Sequence, residues 1–360
     1  MNQKTTVTAT KVRQKQASSF LKKGLVIATL SGMFYGLYTA FITLAMDSGI
    51  WHDWYGDNEA GLSAFTIMFV IGAIGAGINY SVSAIWSVII GGVRGKLRDF
   101  GRSLKTKPGK ILIFAALVGG PISTTAYVVG LMLAGTIAIP IAALCPAIGA
   151  ILSRIFYKQQ LNFRMMCGIL ICLTASVLIA LQSVEPEAPP QMLLGILIML
   201  IAAFGWGLEG CIGGYATAFV DYEVGIIIRQ VTSGVAALII LAPVLALFGG
   251  NIGEAFVLTG QALGDMNAMP IFVISGFFTV YAFNLWYKGN SMCGTALGMA
   301  ANGAFSFWAP FFSWIILGVI LGWEGLALPP IAWFAAILMV VGIFIIAVNP
   351  LIVFKKKEVA

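Results

Sequence analysis

The sequence predicts an all-α, polytopic membrane protein with ten transmembrane helices arranged as two inverted five-helix repeats. Apolar residues make up 59% of the chain and charged residues only 10%, and the mean hydropathy is +0.96. Apolar runs repeatedly reach the roughly 20 residues that cross a bilayer as a helix. Basic residues are sorted between alternate loops, and the two halves of the chain resemble one another. This composition is typical of an integral membrane protein, not of a water-soluble domain.

The chain divides into four parts. The segment 1–23 is polar and basic and has no apolar periodicity, so we expect an irregular cytoplasmic tail. The first five-helix repeat is expected at 24–182 and the second at 192–349, followed by a basic tail at 350–360. The predicted spans are 24–46, 62–93, 111–129, 131–157, 163–181, 193–219, 224–248, 270–287, 293–321 and 331–348.

The distribution of Lys and Arg predicts the orientation. With ten spans and both termini on the same side, every one of the 21 Lys and Arg residues except Arg229 falls on that side. The opposite loops hold no Lys or Arg and carry acidic residues instead. Because positive loops stay inside, we expect a multi-pass protein of the cytoplasmic membrane with both termini in the cytoplasm.

An internal repeat appears when the chain is shifted by 171 positions. The aligned pairs are Gly24 with Gly195, Ile27 with Ile198, Tyr35 with Trp206, Gly36 with Gly207, and Tyr38 with Glu209. Chance is the alternative, because Gly, Leu and Ile are abundant in this chain. Five spans in each half would insert the second half upside down, which is the architecture of many secondary transporters with a site near the midplane.

The stretch AGTIAIPIAALCPAIGAILSRIFYKQQLNFRMMCGILICLTASVLIAL, at 134–181, carries a recognisable pattern. It has a small-residue entry, a Pro about midway, an aromatic residue near the helix end, and then a helix rich in small residues. This resembles the fourth and fifth helices of the drug/metabolite transporter superfamily, in particular its EamA-like members. Gln160 stands where that family usually has Glu, and the second half repeats the pattern weakly around Pro310 and Glu324. The resemblance implies a small-metabolite transporter with a central cavity.

One carboxylate lies deep in an apolar stretch. Glu209 lies more than halfway along 195–220, and Trp206 and Gly213 share its helix face. A charge at such a depth costs about 2.5–3.5 kcal/mol on insertion scales and therefore needs compensation. Arg229, at a similar height on the next span, is its expected partner. The pair is either a static internal salt bridge or a coupling group in which Glu209 binds a cation or exchanges a proton.

Aromatic and amide side chains could complete a substrate site. Aromatic faces beside one carboxylate suit an ammonium group through cation–π attraction, although each ring alone is more often a packing residue. Amides can hydrogen-bond a sugar or an amino acid backbone, or simply link helices. The candidate substrate-binding residues are Glu209, Trp206, Tyr38, Tyr35, Tyr281, Asn284, Asn302 and Trp308.

Other residue types point away from further chemistry. The five cysteines show neither a disulfide framework nor metal-ligand spacing, so we expect no metal and no cofactor. The only histidine, His52, lies in the first acidic loop together with Trp51, Trp54 and Tyr55, and this cluster is expected to form an interfacial aromatic belt. The basic residues are sorted by loop, which favours a lipid surface over nucleic acid as partner. The sequence does not predict an oligomeric state.

We therefore expect a secondary active transporter, not an enzyme, that moves a small amphiphilic metabolite by alternating access. Cationic and zwitterionic solutes are the favoured substrate classes, and proton coupling through Glu209 is an added hypothesis. A neutral sugar or nucleoside carrier of the same fold is the alternative. A membrane-embedded enzyme is less favoured because the chain has no paired carboxylates or His-based nucleophile inside its spans. A channel is less favoured because the repeat is typical of carriers.

Overall fold

The computed structural model describes residues 3–56, 61–134, 139–142, 144–158, 161–181 and 192–347. Every regular element within these ranges is a helix, as the sequence predicts. Gln160 lies outside the described residues. The α-helices are α1 (Gln3–Ala45), α2 (Ile50–Tyr55), α3 (Gly72–Val93), α4 (Leu97–Ser103), α5 (Lys107–Leu117), α6 (Ser123–Ala134), α7 (Ile139–Ala142), α8 (Cys145–Tyr157), α9 (Phe163–Ala180), α10 (Met192–Ala216), α11 (Tyr222–Val235), α12 (Ala242–Phe248), α13 (Ile252–Gly264), α14 (Met269–Cys293), α15 (Thr295–Asn302), α16 (Phe305–Ser313) and α17 (Pro330–Ala347).

Four π-helical segments lengthen these helices. They are Thr66–Ile71 before α3, Val118–Ile122 between α5 and α6, Ala236–Leu241 between α11 and α12, and Trp314–Ile320 after α16. A π-helical turn widens the helix and leaves carbonyl groups without their usual partners, and such turns are frequent at functional sites.

Seven helical stretches are long and apolar enough to cross a membrane. Three shorter apolar helices accompany them, at Cys145–Tyr157, Phe163–Leu178 and Pro330–Ile346. The chain is therefore an all-helical, multi-pass membrane protein. The seven candidate spans are Ser19–Ala45, Thr66–Val93, Lys107–Gly130, Met192–Ala216, Tyr222–Phe248, Met269–Cys293 and Thr295–Ile320.

Three helices extend beyond their predicted limits. The expected irregular tail is helical from Gln3, because it contains no Gly or Pro and each added residue extends the helix with one more hydrogen bond. The predicted break near Gly130 is wrong, since α6 continues to Ala134. The predicted loop holding Lys288 is also wrong, because α14 continues to Cys293. There the Lys288 ammonium lies 5.3 Å from the centre of the Tyr222 ring, so its charge is accommodated on the helix.

Two groups of helices make up most of the molecule. In the first, which we call the α1 group, α1 packs on α14, α15 and α16. In the second, the α10 group, α10 packs on α5, α6, α7 and α8. Two further pairs join them: α3 with α11, and α9 with α17.

Glycines bring the helices of each group into close contact. In the α1 group, a Cβ atom at Gly24 would lie 2.8 Å from the Cys293 backbone nitrogen, and one at Gly289 would lie 2.9 Å from the Ala28 backbone nitrogen. In the α10 group, a Cβ atom at Gly130 would lie 3.0 Å from the Met199 backbone nitrogen. Because lipid tails are as apolar as side chains, such close backbone approach is a main source of helix association in membranes.

The two ends of the helix bundle differ in charge. At the basic end, Lys96 donates a hydrogen bond to Asp221 over 2.8 Å, and Arg94 pairs with Glu223. At the acidic end, the Asp265 carboxylate accepts a hydrogen bond from the Ile50 backbone N–H over 2.7 Å.

The predicted aromatic belt at the acidic end is wrong for two of its members. Trp51 is 0% exposed and Trp54 is 4% exposed. The Trp51 ring packs against Phe272, with ring centroids 5.3 Å apart, and His52 lies 3.3 Å from Asp47. The short helix α2 folds the two indoles inward, so they belong to the protein core and not to the lipid interface.

The α1 group and the α10 group meet along a seam near the basic end. A Cβ atom at Gly214 of α10 would lie 2.1 Å from the Thr295 hydroxyl of α15, and one at Gly149 of α8 would lie 2.0 Å from the Met299 sulfur. Toward the acidic end, α6 packs on α10 and α3, whereas α16 packs on α1, α9 and α17. Among the described residues, α6 and α7 make no extensive contact with α1, α14 or α16. In the part of the chain that the structure describes, the two groups therefore contact each other mainly near the basic end.

Candidate functional site

A buried ion pair joins α10 to α11. The Arg229 Nε donates to Glu209 Oε1 over 2.5 Å, and the Arg229 Nη2 donates to Glu209 Oε2 over 3.3 Å. Each side chain is 1% exposed. The predicted pairing of these two residues is confirmed. Both carboxylate oxygens are occupied, so the arrangement is a bidentate, charge-compensated pair, which is the strongest geometry for Arg with a carboxylate.

Aromatic rings surround the guanidinium. The Arg229 Cζ lies 3.6 Å from the centre of the Phe283 ring and 5.3 Å from the centre of the Tyr80 ring. Its Nη1 donates to the Gln230 side-chain oxygen over 3.0 Å. Helices α3, α10, α11 and α14 thus all contribute to one charge site. Cation–π attraction is strongest where water is excluded, so these rings stabilise a charge that would otherwise be costly.

The π-helical segment between α5 and α6 makes room for Glu209. A Cβ atom at Gly119 would lie 1.9 Å from Glu209 Oε2, so only a glycine fits at this position. Pro121 has no N–H, and together with the wider helix this leaves carbonyl groups free to accept side-chain donors. The Trp206 Nε1 donates to the Gly119 carbonyl over 2.9 Å, and the Ser233 hydroxyl donates to the Ala116 carbonyl over 3.1 Å. The break in this helix therefore anchors both α10 and α11.

Tyr35 and Tyr38 lie beside this site on α1. Their ring centroids are 4.5 Å apart, and Tyr35 lies 6.3 Å from Phe283 and 4.6 Å from Phe305. Both tyrosines are half-buried, in contrast to the sealed ion pair.

Trp206 lies on α10, about one helical turn before Glu209. Its ring centroid lies 5.3 Å from that of Tyr127, and it is also half-buried. The structure therefore brings four of the predicted site residues into one neighbourhood with Arg229, namely Glu209, Trp206, Tyr35 and Tyr38.

The remaining predicted site residues lie in other surroundings. The Tyr281 ring packs with Phe34 at 5.6 Å, and the Trp308 ring packs with Phe312 at 5.6 Å. Asn302 donates to the Ser31 hydroxyl over 2.7 Å, which makes it a link between α15 and α1. The Asn284 side-chain oxygen is buried and has no hydrogen-bond partner among the described residues.

Sequence reasoning missed Gly119, Tyr80 and Phe283. The run Gly119-Gly120-Pro121 was a usable signal, since it predicts a weak point in a helix. Tyr80 and Phe283 give no such signal, because an aromatic residue in an apolar helix looks the same whether it packs on a cation or on a leucine.

Several buried polar atoms near this site have no hydrogen-bond partner in the described part of the chain. They are the Gln230 Nε2, the Trp286 Nε1, the Tyr287 hydroxyl, and both side-chain polar atoms of Asn290. An unsatisfied buried donor or acceptor costs about 1–3 kcal/mol. Within the described ranges, no three His, Cys, Asp or Glu residues come together as a metal site would require.

Comparison with known proteins shows the fold alone. No protein-family model matches this chain, and no curated protein matches it. A solved structure described as "Crystal structure of protein" is similar, with a TM-score of 0.57 over 89% of this chain and 96% of that chain. The two sequences are 17% identical, so the similarity extends to the arrangement of helices and not to a shared activity.

Proposed function

We propose that this protein is a secondary active transporter of the drug/metabolite transporter type, similar to EamA-like members. It has ten spans in two inverted five-helix repeats and both termini in the cytoplasm, so the basic end faces the cytoplasm. It moves a small amphiphilic metabolite across the cytoplasmic membrane by alternating access. The three shorter apolar helices supply the crossings beyond the seven long ones.

One observation carries this proposal: several helix pairings recur when the two halves are exchanged. Helix α1 packs on α14 and α16, and α10, its counterpart under the 171-residue shift, packs on α6 and α8. The pairs α3 with α11 and α9 with α17 each join a helix to its own counterpart. Such exchange symmetry supports two equivalent halves, and five spans in each half make the halves inverted.

The aligned glycines support the same view. Gly24 packs on the end of α14, and Gly195 packs on the end of α6. Gly36 packs on Trp308 of α16, and Gly207 packs on Ile148 of α8. Positions that the sequence repeat aligns therefore make corresponding contacts in the two halves.

The contact between the two groups at the basic end supports a carrier that opens to one side at a time. In this proposal the half-buried rings of Tyr35, Tyr38 and Trp206 line the substrate site. Aromatic faces with a polar edge suit a small amphiphile, with cations and zwitterions as favoured classes. Because Arg229 occupies both oxygens of Glu209, direct binding of a cation by Glu209 would require this pair to separate.

A neutral sugar or nucleoside is the second candidate substrate. The unpartnered side-chain oxygen of Asn284 favours it, because a solute hydroxyl would satisfy this acceptor. Loss of binding on Asn284→Leu, with binding unaffected by Tyr38→Ala, would favour the neutral solute over the amphiphilic cation.

The test begins with thermal-shift screening of the full chain against amines, amino acids, nucleosides and sugars. A ligand that binds the folded state raises the melting temperature with concentration. Labelled ligands that bind are then tested for counterflow in proteoliposomes. Accelerated exchange of a labelled solute against unlabelled solute supports a carrier. Ohmic current without counterflow would contradict the proposal and indicate a channel.

A further inference from the structure

A row of unsatisfied polar groups follows the ion pair toward the basic end. The Trp286 Nε1, the Tyr287 hydroxyl and the side-chain amide of Asn290 have no hydrogen-bond partner among the described residues. These side chains are 7%, 0% and 2% exposed, respectively. All three lie on α14, within about one and a half turns of one another. Tyr287 packs against Gly213, about one helical turn from Glu209 on α10.

The Asn290 side chain faces Gly298 of α15, inside the α1 group, whereas Trp286 and Tyr287 face α10, whose surface has no partner for their polar groups. A Cβ atom at Gly213 of α10 would lie 2.8 Å from the Tyr287 ring, and one at Gly210 would lie 2.8 Å from the Trp286 ring. A glycine has no side chain, and the N–H and C=O groups of a helix interior already bond within the helix. In this state the polar groups of Trp286 and Tyr287 therefore lie against helix backbone whose own N–H and C=O groups are already hydrogen-bonded.

These contacts form part of the seam between the α1 group and the α10 group. Gly210, Gly213 and Gly214 of α10 face Trp286, Tyr287 and Thr295 across it. Gly207, on the same helix, faces Ile148 of α8 and therefore lies inside the α10 group. Helix α10 therefore has glycines that contact the other group across the seam and a glycine, Gly207, that contacts a helix of its own group.

We propose that this seam is the inner half of the transport route. When the two groups separate at the basic end, Trp286 and Tyr287 become a polar lining that hydrogen-bonds water and the polar head group of the solute. This inference rests on the proposed function, and it assigns a passage and its lining that the site around Glu209 does not include. The polar groups are unsatisfied here because the passage is shut.

A reporter thiol at the seam tests the passage. Thr295 is 6% exposed and packs against Gly214. Thr295→Cys is introduced into the full chain with the five native cysteines changed to alanine. The purified protein in proteoliposomes is treated from the basic end with a quaternary ammonium thiosulfonate, and the rate of modification is measured. Because the seam is shut in this state, we expect slow modification.

Two glycine variants on α10 then form a matched pair. Gly213→Ala places a methyl group against the Tyr287 ring, at the seam. Gly207→Ala places one 2.8 Å from the Ile148 side chain, inside the α10 group. Overpacking at the seam favours the open state, so Gly213→Ala should speed modification about tenfold, whereas Gly207→Ala should leave it within about twofold. Equal rates in the two variants would overturn the proposal.

Tyr287→Phe tests the same proposal in the opposite direction, because it should stabilise the shut state. It adds no atoms to the seam and therefore causes no steric overlap. Removing a hydroxyl that is unsatisfied only in the shut state should raise the melting temperature and slow modification of the reporter. A lower melting temperature with faster modification would mean that the hydroxyl is bonded in the shut state, which contradicts the proposal.

Failure of the passage and failure of transport are distinguishable. Counterflow together with equal labelling of the two glycine variants would contradict the passage and leave the carrier function standing. The expected labelling pattern without counterflow of any screened solute would support the opening seam and contradict the carrier function.

Discussion

Helices α1 and α10 occupy corresponding places in the two groups, yet they differ in one respect. Both pack closely through glycines, with Gly36 against Trp308 and Gly207 against Ile148. The 171-residue shift aligns Tyr38 of α1 with Glu209 of α10. Tyr38 is half-buried, whereas Glu209 is sealed in a salt bridge with Arg229. The same close packing of helices therefore accepts either an aromatic ring or a buried charge at the aligned position. Of the two aligned residues, only Glu209 on α10 is charged.

The largest effect should come from breaking the ion pair. Glu209→Gln leaves the Arg229 guanidinium buried without a counter-charge, which should lower the free energy of unfolding by about 3–5 kcal/mol. Tyr38→Phe, at the aligned position, should cost about 1 kcal/mol or less. Denaturant unfolding in detergent, followed by circular dichroism, measures both.

The control for this prediction replaces both charges. Glu209→Leu combined with Arg229→Met leaves no uncompensated charge, so the double variant should be more stable than Glu209→Gln. A Glu209→Gln protein as stable as the Tyr38→Phe protein would show that the pair does not hold α10 to α11.

The next effect concerns the glycines that the two helices share. Gly36→Ala and Gly207→Ala should each destabilise the protein by about 1–3 kcal/mol, because each methyl group overpacks a close helix contact. Gly36→Ala should be the worse of the two. Its Cβ atom would lie 2.5 Å from the Trp308 carbonyl oxygen, which is backbone, whereas Gly207 meets the movable Ile148 side chain at 2.8 Å.

Gly260 of α13 provides the control for these glycines, because no atom lies within 4 Å of a Cβ atom there. Gly260→Ala should raise the free energy of unfolding by about 0.5–1 kcal/mol through helix propensity. Thermal unfolding of the three variants tests the order, and equal melting temperatures would contradict it.

A smaller effect is expected at the aligned aromatic positions. Trp206→Phe leaves the Gly119 carbonyl without its donor and should cost about 1 kcal/mol or slightly more. Tyr35→Phe keeps the ring contacts with Tyr38 and Phe305 and should cost less. A Tyr35→Phe protein less stable than the Trp206→Phe protein would show that the π-helical segment does not depend on the indole.

The smallest effect is expected at the exposed ion pair of the basic end. The hydrogen bond and charge of Asp221 raise the pKa of Lys96. Burial raises the pKa of Asp221, but the hydrogen bond and charge of Lys96 outweigh burial and hold it below its usual range. Asp221→Asn should cost only about 0.2–1 kcal/mol, because solvent screens the pair. The N-cap of α11 should survive, since Asn caps as well as Asp.

The pH dependence of this small effect follows from the pKa directions. The Asp221 contribution is present above the unfolded pKa of the carboxyl group and is lost as the pH falls through its folded pKa. The Lys96 contribution is present below the unfolded pKa of the amine and is lost as the pH rises through its folded pKa. The melting-temperature difference between wild type and Asp221→Asn should therefore be largest near neutral pH and shrink in acid. A difference that grew in acid would contradict the pairing.

The Glu209–Arg229 pair was predictable from the sequence because it is local. The two residues lie at similar heights on consecutive helices, and a deep carboxylate in an apolar helix demands a partner. The rings around the pair were not predictable. Tyr80 and Phe283 come from helices distant in the chain, and nothing in their immediate sequence distinguishes a ring that stacks on a guanidinium from one that packs in a core.

The places where prediction failed have a common cause. The segment that begins at Gln3 looked irregular because it is polar, yet nothing in it stops a helix. Trp51 and Trp54 looked like interfacial anchors because they lie in a loop, yet α2 turns them into the core beside Phe272. In both cases the local pattern was compatible with two structures, and packing or helix propagation decided between them.

The sequence by itself determined that this chain is an all-helical membrane protein and that Glu209 needs Arg229. Bilayer thickness sets the length of an apolar helix, and the low dielectric of its interior penalises an unpaired charge, so both conclusions follow from composition and spacing. Only the tertiary structure decided which aromatic rings surround Arg229, that Gly119 makes room for Glu209, and that the two groups meet near the basic end. Those features depend on contacts of a few ångströms between helices far apart in the chain, and many side chains of similar polarity could have occupied the same positions.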